Sequence, residues 1–261
     1  MHGLFTHEIQ TDTAIFRHAR GVSTRSGKEF HIYHEIIFFL DGDAELISED
    51  LHTRLRPGIL VIIPKQTYQQ VIIHGDPQAY YRCILNFADT PSLSPLIQNS
   101  MTELKIIEAD AGLRFLFQKL MDTAKTEHAA APVLLNALLA VLLSEIASAE
   151  KLRLPETPQN ELIHNAVAYI NRNISQKLTV SQIAKACNTS ESSLAHTFQR
   201  EMRIPLHRYI LKKRLITAYR QITAGIPATE AADRCGFHDY SGFYKQYKRM
   251  FGFPPSGTKK A

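Results

Sequence analysis

The chain has 261 residues, 30 Lys+Arg against 25 Asp+Glu, 44% hydrophobic residues and three cysteines. That length has room for two domains, each with its own core. No unbroken run of eighteen apolar residues occurs, and the N-terminus lacks the basic start and apolar block of a secretory leader, so a cytoplasmic protein with no membrane segment is expected.

Cys83, Cys187 and Cys235 are far apart and odd in number, which fits buried thiols in a reducing compartment better than a disulfide framework or a metal site. The charge is uneven along the chain. Residues 158–261 hold 16 Lys+Arg and 6 Asp+Glu, a net of +10, whereas residues 1–157 hold 14 and 19, a net of −5. A basic C-terminal part on an acidic N-terminal part points to a polyanion partner for the former.

Residues 1–30 are weakly patterned, with one short strand candidate at Ala14-Ile15-Phe16. Tyr33–Leu40 is β-prone, turns at Asp41-Gly42-Asp43 and resumes as Ala44–Ser48, a hairpin signal. After the Arg56-Pro57-Gly58 turn come strands at Ile59–Ile63, Tyr68–His74 and Tyr80–Phe87. Short strands punctuated by Gly and Pro, with no helices between them, argue for a β-barrel or sandwich over residues 10–90. Residues 88–100 read as loop.

A helical period then runs from Glu108 to Glu127, on Leu113, Leu116, Phe117, Leu120 and Met121. A second helix, Val133–Ala147, carries leucines at 134, 135, 138, 139, 142 and 143, which cover most of its circumference. It must be buried on more than one side, against the barrel and its neighbour helix or also against a second subunit. The polar, proline-containing stretch 151–160 reads as a linker between a domain over 1–150 and one over 161–261.

The C-terminal part writes one helical device twice. Thr179 caps a short helix over Val180–Ala186, Asn188-Thr189-Ser190 makes a turn, and a helix from Glu191 to about Met202 follows with Leu194 and Phe198 inward. Pro205 opens a long helix, Leu206 to about Thr223, spanning about 27 Å at roughly 1.5 Å per residue. A second short helix around Ala231-Ala232 then turns at Cys235-Gly236-Phe237 into the last helix, Ser241–Met250, with Phe243 and Tyr247 inward. Helix, tight turn and crossing helix form a helix-turn-helix, which presents its second helix to a DNA major groove. The exposed candidates are Ser192, Ser193, His196, Gln199 and Arg200 in the first copy, and Tyr240, Ser241, Tyr244, Lys245, Lys248 and Arg249 in the second. An ordinary solvated helix face has a similar composition, so the doubling and the +10 charge carry the inference.

The string Cys235-Gly236-Phe237-x-Asp239-x-Ser241-x-Phe243-x-Lys245-x-Tyr247-Lys248-Arg249, closing on Gly252-x-Pro254-Pro255, closely resembles the signature of AraC/XylS-type transcriptional regulators. The stretch from Ala184 through Ser190, Leu194, His196, Phe198 and Arg200 matches the same family. His196 stands where the family usually has Arg, Gly242 where it has an aromatic and Tyr247 where it has Phe, so no operator can be carried over. More loosely, EIIFFLDGDAEL followed by LRPGILVIIPKQTY resembles the cupin barrel that serves many such regulators as sensor, and the resemblance implies a dimer contact through the helices after the barrel.

Together these give a two-domain α+β chain: a cupin-like barrel with following helices, then an all-α double helix-turn-helix. A small barrel can hold one small ligand. Alternation nominates His31, Tyr33 and Glu35 on one strand face, Tyr68 and Gln70 on another strand and Tyr81 on a third. The spacing of His31, Tyr33, His34 and Tyr68 breaks the histidine pattern of metal-binding cupins, so no metal, cofactor or catalytic residue is expected. The expected function is DNA binding that regulates transcription, activation being favoured, under a small effector such as a sugar or related metabolite, by a homodimer without membrane contact. The competing readings are a metal-dependent cupin enzyme with an accessory helical domain and an effector-independent DNA-binding protein.

Overall fold

Strands buried on both faces account for the near-continuous apolar runs of the N-terminal half. The computed structural model describes residues 4–21, 30–49, 51–125, 129–152, 160–176 and 178–258. It divides into two units, Met1–Thr157 and Pro158–Ala261, inside the stretch read as linker, most of which (153–159) lies outside the described residues.

In the first unit, strands β1 (Leu4–Gln10), β2 (Ala14–Arg20), β3 (His34–Asp41), β4 (Asp43–Ser48), β5 (His52–Arg54), β6 (Ile59–Ile63), β7 (Gln69–His74) and β8 (Tyr81–Phe87) precede helix α1 (Ser94–Ser100) and strand β9 (Lys105–Glu108). A six-stranded sheet has the order β1-β2-β8-β3-β6-β9, and a three-stranded one the order β5-β4-β7. Ile37 and Phe39 of β3, Ile59, Val61 and Ile63 of β6, and Ala44 and Leu46 of β4 form one core shared by both sheets. The alternate residues Ile36, Phe38, Leu60 and Ile62 face away from it, into a second core with helices α2 (Ala111–Lys125) and α3 (Ala131–Ser148). With a core on each face, β3 and β6 lose the polar alternation of a half-exposed strand.

Three expectations change. β1 and α1 lie where the pattern is weak. Glu108 ends β9 instead of beginning a helix, because its neighbours pair with β6 in register; the expected helix end at Glu127 falls outside the described residues. And α3 is long and apolar enough to cross a membrane by length and composition, with a mean hydropathy of 1.8. Its Leu135, Leu139, Leu142, Leu143 and Ile146 are nonetheless core residues, while Val133, Leu134 and Val141 are exposed, as is Phe115 of α2.

A polar staple closes one end of this unit. The Lys65 backbone N–H donates to His34 Nδ1 at 3.1 Å, which leaves His34 Nε2 to donate to Asp89 at 2.9 Å; the Lys65 ammonium bonds the other Asp89 oxygen. These partners, the His34 bond foremost, hold the Asp89 carboxyl down at about 2, from 3.8.

The second unit contains α4 (Glu161–Asn173), α5 (Val180–Ala186), α6 (Glu191–Met202), α7 (Leu206–Thr223), α8 (Ala228–Arg234) and α9 (Tyr240–Phe251). The two motifs repeat hydrogen bond for hydrogen bond. Thr189 N–H donates to Ala184 O and Phe237 N–H to Ala232 O, both at 3.0 Å. Asn188 and Gly236, at φ 51 and 74, supply the left-handed residue that each helix ending requires. Thr179 makes a capping box with Gln182, Ser190 caps α6, and Asp239 caps α9 through Ser241 and Gly242 N–H.

Tyr247, the departure from the family's usual Phe, uses its hydroxyl: it lies 2.6 Å from Thr258 Oγ1 in a buried contact, and burial pushes its pKa up to about 12.

Two outcomes are expected. The depressed Asp89 carboxyl contributes stability that is present above about pH 4 and lost as pH falls through about 2; at 46% exposure of that side chain, screening leaves about 1 kcal/mol of it. Denaturation at stepped pH should therefore show a steeper acid loss for wild type than for Asp89→Asn, and equal slopes would contradict the staple. Tyr247→Phe should cost about 1 kcal/mol in urea denaturation by removing a buried hydrogen bond; an unchanged midpoint would show the Thr258 contact to be idle.

Candidate nucleic-acid interface and candidate effector site

Both helices nominated as readers are amphipathic because their inward positions recur at three or four residues. Leu194, Phe198 and Met202 bury one side of α6, and Phe243 and Tyr247 one side of α9. Ser192, Ser193, His196, Gln199 and Arg200 are all exposed on α6, and Tyr240, Ser241, Tyr244, Lys245, Lys248 and Arg249 are all exposed on α9. Tyr240 and Tyr244 are 41% and 38% exposed. Large aromatics on a surface otherwise made of lysines suit contact with a partner more than with water.

The two surfaces differ electrically. On α6 the side chain of Arg200 is held by Glu201, with N···O distances of 2.7 and 2.8 Å, so part of its charge is already answered. Glu201 is a half-buried acid beside that face, in addition to Glu191 in the first turn. On α9, Lys245, Lys248 and Arg249 stand exposed together. Small residues keep the start of α9 open: a Cβ at Gly242 would lie 2.8 Å from the capping Asp239 carboxylate.

In the first unit, the interior face of the large sheet carries a buried polar group. Glu35 of β3 pairs across the ladder with Asn86 of β8, whose Nδ2 donates to Glu35 Oε1 at 3.2 Å. Gln69 Nε2 lies 3.4 Å from Glu35 Oε2 and 3.0 Å from His31 Nε2. The Glu35 contact requires the amide to present its NH2 there, since a carboxylate only accepts, and His31 Nε2 then accepts from the same group. His31 stacks on Tyr33 at 4.8 Å between ring centroids. Burial first, and Glu35 second, push the Tyr33 phenol up to about 12. Arg17 Nη1 donates to Asn86 Oδ1 at 3.2 Å. Arg82 is buried on the same face as Asn86, over the Tyr80 ring and bonded to the Gly21 carbonyl at 2.7 Å. Gln69 Oε1 is buried and finds no hydrogen-bond partner among the described residues.

His31, Tyr33 and Glu35 are thus brought together; the other three nominees are placed elsewhere. Val71 and Ile73 pack into the shared core, so Gln69 has the inward parity on β7 and Gln70 the outward one. Tyr68 is buried against Phe30 at 5.3 Å, with its hydroxyl 3.5 Å from Gln70 Oε1. Tyr81 shares its face with Cys83 and Leu85, toward the helices. There it bonds His18 and lies beneath the Arg20 guanidinium at 4.4 Å. Gln69, Asn86 and Arg17 were missed: Asn86 meets Glu35 through ladder register, Gln69 reaches it from the other sheet, and Arg17 joins through Asn86. Among the described residues no three His, Cys, Asp or Glu side chains gather as a metal site.

Comparison with known proteins bears on the second unit most directly. Residues 183–261 match the family of helix-turn-helix domains. Over 240 residues the chain is 26% identical to the probable transcriptional regulator LumQ of Photobacterium leiognathi, covering 87% of this chain and 89% of that one. Over 99 residues it is 31% identical to the HTH-type transcriptional regulator GbdR of Pseudomonas aeruginosa, covering 38% of this chain but only 27% of GbdR. The crystal structure of ToxT from Vibrio cholerae O395 aligns over 96% of this chain and 94% of its own, at 10% identity and a TM-score of 0.41, too distant to carry residue roles. The doubled motif and its capped helices agree with the match over residues 183–261: the chain carries a helix-turn-helix domain in its second unit and is similar over most of its length to a protein named as a probable transcriptional regulator.

Proposed function

We propose that this regulator reads a specific DNA sequence through the exposed faces of α6 and α9 and that a small effector held in the first unit controls it. The observation that carries the first part is the pairing of two equivalent reading helices, with all eleven nominated side chains exposed, inside the part of the chain whose net charge is +10. Phosphate contacts from Lys245, Lys248 and Arg249 supply most of the affinity, and polar side chains such as His196 and Gln199 read base edges. The regulator is an activator acting in the cytoplasm.

The effector reading is supported by the interior group around Glu35. A buried carboxylate beside an amide oxygen that lacks a donor is costly unless a donor arrives. His31, Tyr33, Glu35, Gln69 and Asn86 therefore suit a small hydroxyl-bearing molecule, such as a sugar or related metabolite, with no metal or cofactor involved. The exposed Phe115, Val133, Leu134 and Val141 on α2 and α3 supply the apolar surface for a homodimer, in which effector binding shifts the placement of the DNA-reading domains.

Two measurements test this. On an operator selected from random duplexes, Lys245→Ala and Lys248→Ala should each weaken binding across all sequences and lower the slope of log K against log salt by about 1. His196→Ala should instead relax preference at one base position, by about 1–3 kcal/mol; affinity and preference untouched by all three substitutions would remove α6 and α9 as readers. Thermal shift against a panel of polyols should find a stabilising compound whose effect disappears in Glu35→Ala. A compound that stabilises wild type and Glu35→Ala equally would place the effector elsewhere.

A further inference from the structure

Three segments far apart in the chain meet at one side chain. Arg214 stands in the middle of α7, the helix that both motifs pack on. Its Nη2 donates to the Gln176 carbonyl at 2.8 Å, in the segment that leads from α4 into the first motif. Beside that hydrogen bond lies Gly236, the left-handed turn residue between α8 and α9. A Cβ at Gly236 would sit 3.1 Å from the Arg214 guanidinium and 3.1 Å from the Gln176 oxygen. The backbone of the first motif's approach therefore touches the turn of the second motif, with the guanidinium filling the angle between them. The charged guanidinium has the reach and makes a charge-assisted bond to that carbonyl, which a neutral side chain does not.

The consequence concerns geometry. Each motif docks on α7 through apolar contacts, Phe198 on Tyr209 at one end and Ala231, Ala232 and Phe243 with Leu215 and Ala218 at the other. Apolar contacts are non-directional and tolerate small rotations. A directional bond from α7 to the approach of the first motif, packed against the turn of the second, does not. The DNA requires that precision, since displacing one recognised segment by a single base pair rotates it by about 34° around the duplex.

The geometry points to Arg214 as a positioning residue for DNA recognition: by bonding the Gln176 carbonyl while packed against the Gly236 turn, it sets the angle between α6 and α9 and so the spacing of DNA segments that the protein accepts. Arg214 acts through these two helices and touches no base. This rests on α6 and α9 being the readers. Failure of that reading is seen separately, in the His196 and Lys245 substitutions.

The test measures binding of the full-length protein to the selected operator, to versions with one base pair inserted or removed between the two recognised segments, and to a duplex holding the first segment alone. Wild type should prefer the selected spacing by about tenfold, a usual size for coupling between adjacent sites. Arg214→Gln should lose most of that preference while binding the single segment as wild type does, and Arg214→Lys, which keeps a charged donor, should retain most of it. Gly236→Asn, which accepts the left-handed turn as Asn188 does in the first motif and sets a Cβ against the guanidinium, should flatten the preference in the same way, which keeps the idea testable if Arg214→Gln folds poorly. Equal weakening on single and paired segments, or a spacing preference kept by both Arg214→Gln and Gly236→Asn, would overturn the assignment.

Discussion

Both helices proposed as readers depend on α7. A helix-turn-helix is too small to bury much apolar surface by itself, and each of these two completes its core on that one helix. Phe198 meets Tyr209 near the start of α7, and Phe243 with Tyr247 lies in a core with Leu215, Ala218 and Ile222 near its end. Truncating an aromatic of this kind costs about 3–5 kcal/mol, a large share of what holds a domain of this size together. Lys212 shows how far α7 is enclosed: burial alone brings its ammonium down to about 8. The helix completes the cores of two small motifs.

The first unit spends its stability differently. Strands β3 and β6 are buried on both faces, one core lying between the sheets and the other under α2 and α3. Within that apolar frame the polar group around Glu35 stands out, since buried polar side chains cost free energy unless each atom is answered. Asn86 answers one carboxylate oxygen and Gln69 approaches the other, yet Gln69 Oε1 remains without a donor among the described residues. A core with no task beyond packing would gain by replacing these residues with aliphatic ones.

What could be read from the sequence was what is local. The cap Thr179 and the turns at Asn188 and Gly236 act within a few positions of themselves, so most of the second unit was legible, although Asp239 is a cap and not the first helical residue. Inward and outward faces of α6 and α9 followed from the helical period. Pairing across strands was not legible. Asn86 meets Glu35 from 51 residues away, and no pattern within either strand names its partner. A single step along β7 decided between Gln69 and Gln70, and one face of β8 took Tyr81 to the helices. β9 is four residues long and was hidden by the helical pattern that follows it. The charge split foretold which unit meets DNA but not that Glu201 holds Arg200.

The central claim is that one protomer reads two segments of one face of the duplex, held apart by α7. Hydroxyl-radical footprinting of the full-length protein on its selected operator tests this most directly. Two protected patches on one face for each half-site, about 34 Å apart, are the expected result; a single protected patch for each half-site would contradict it.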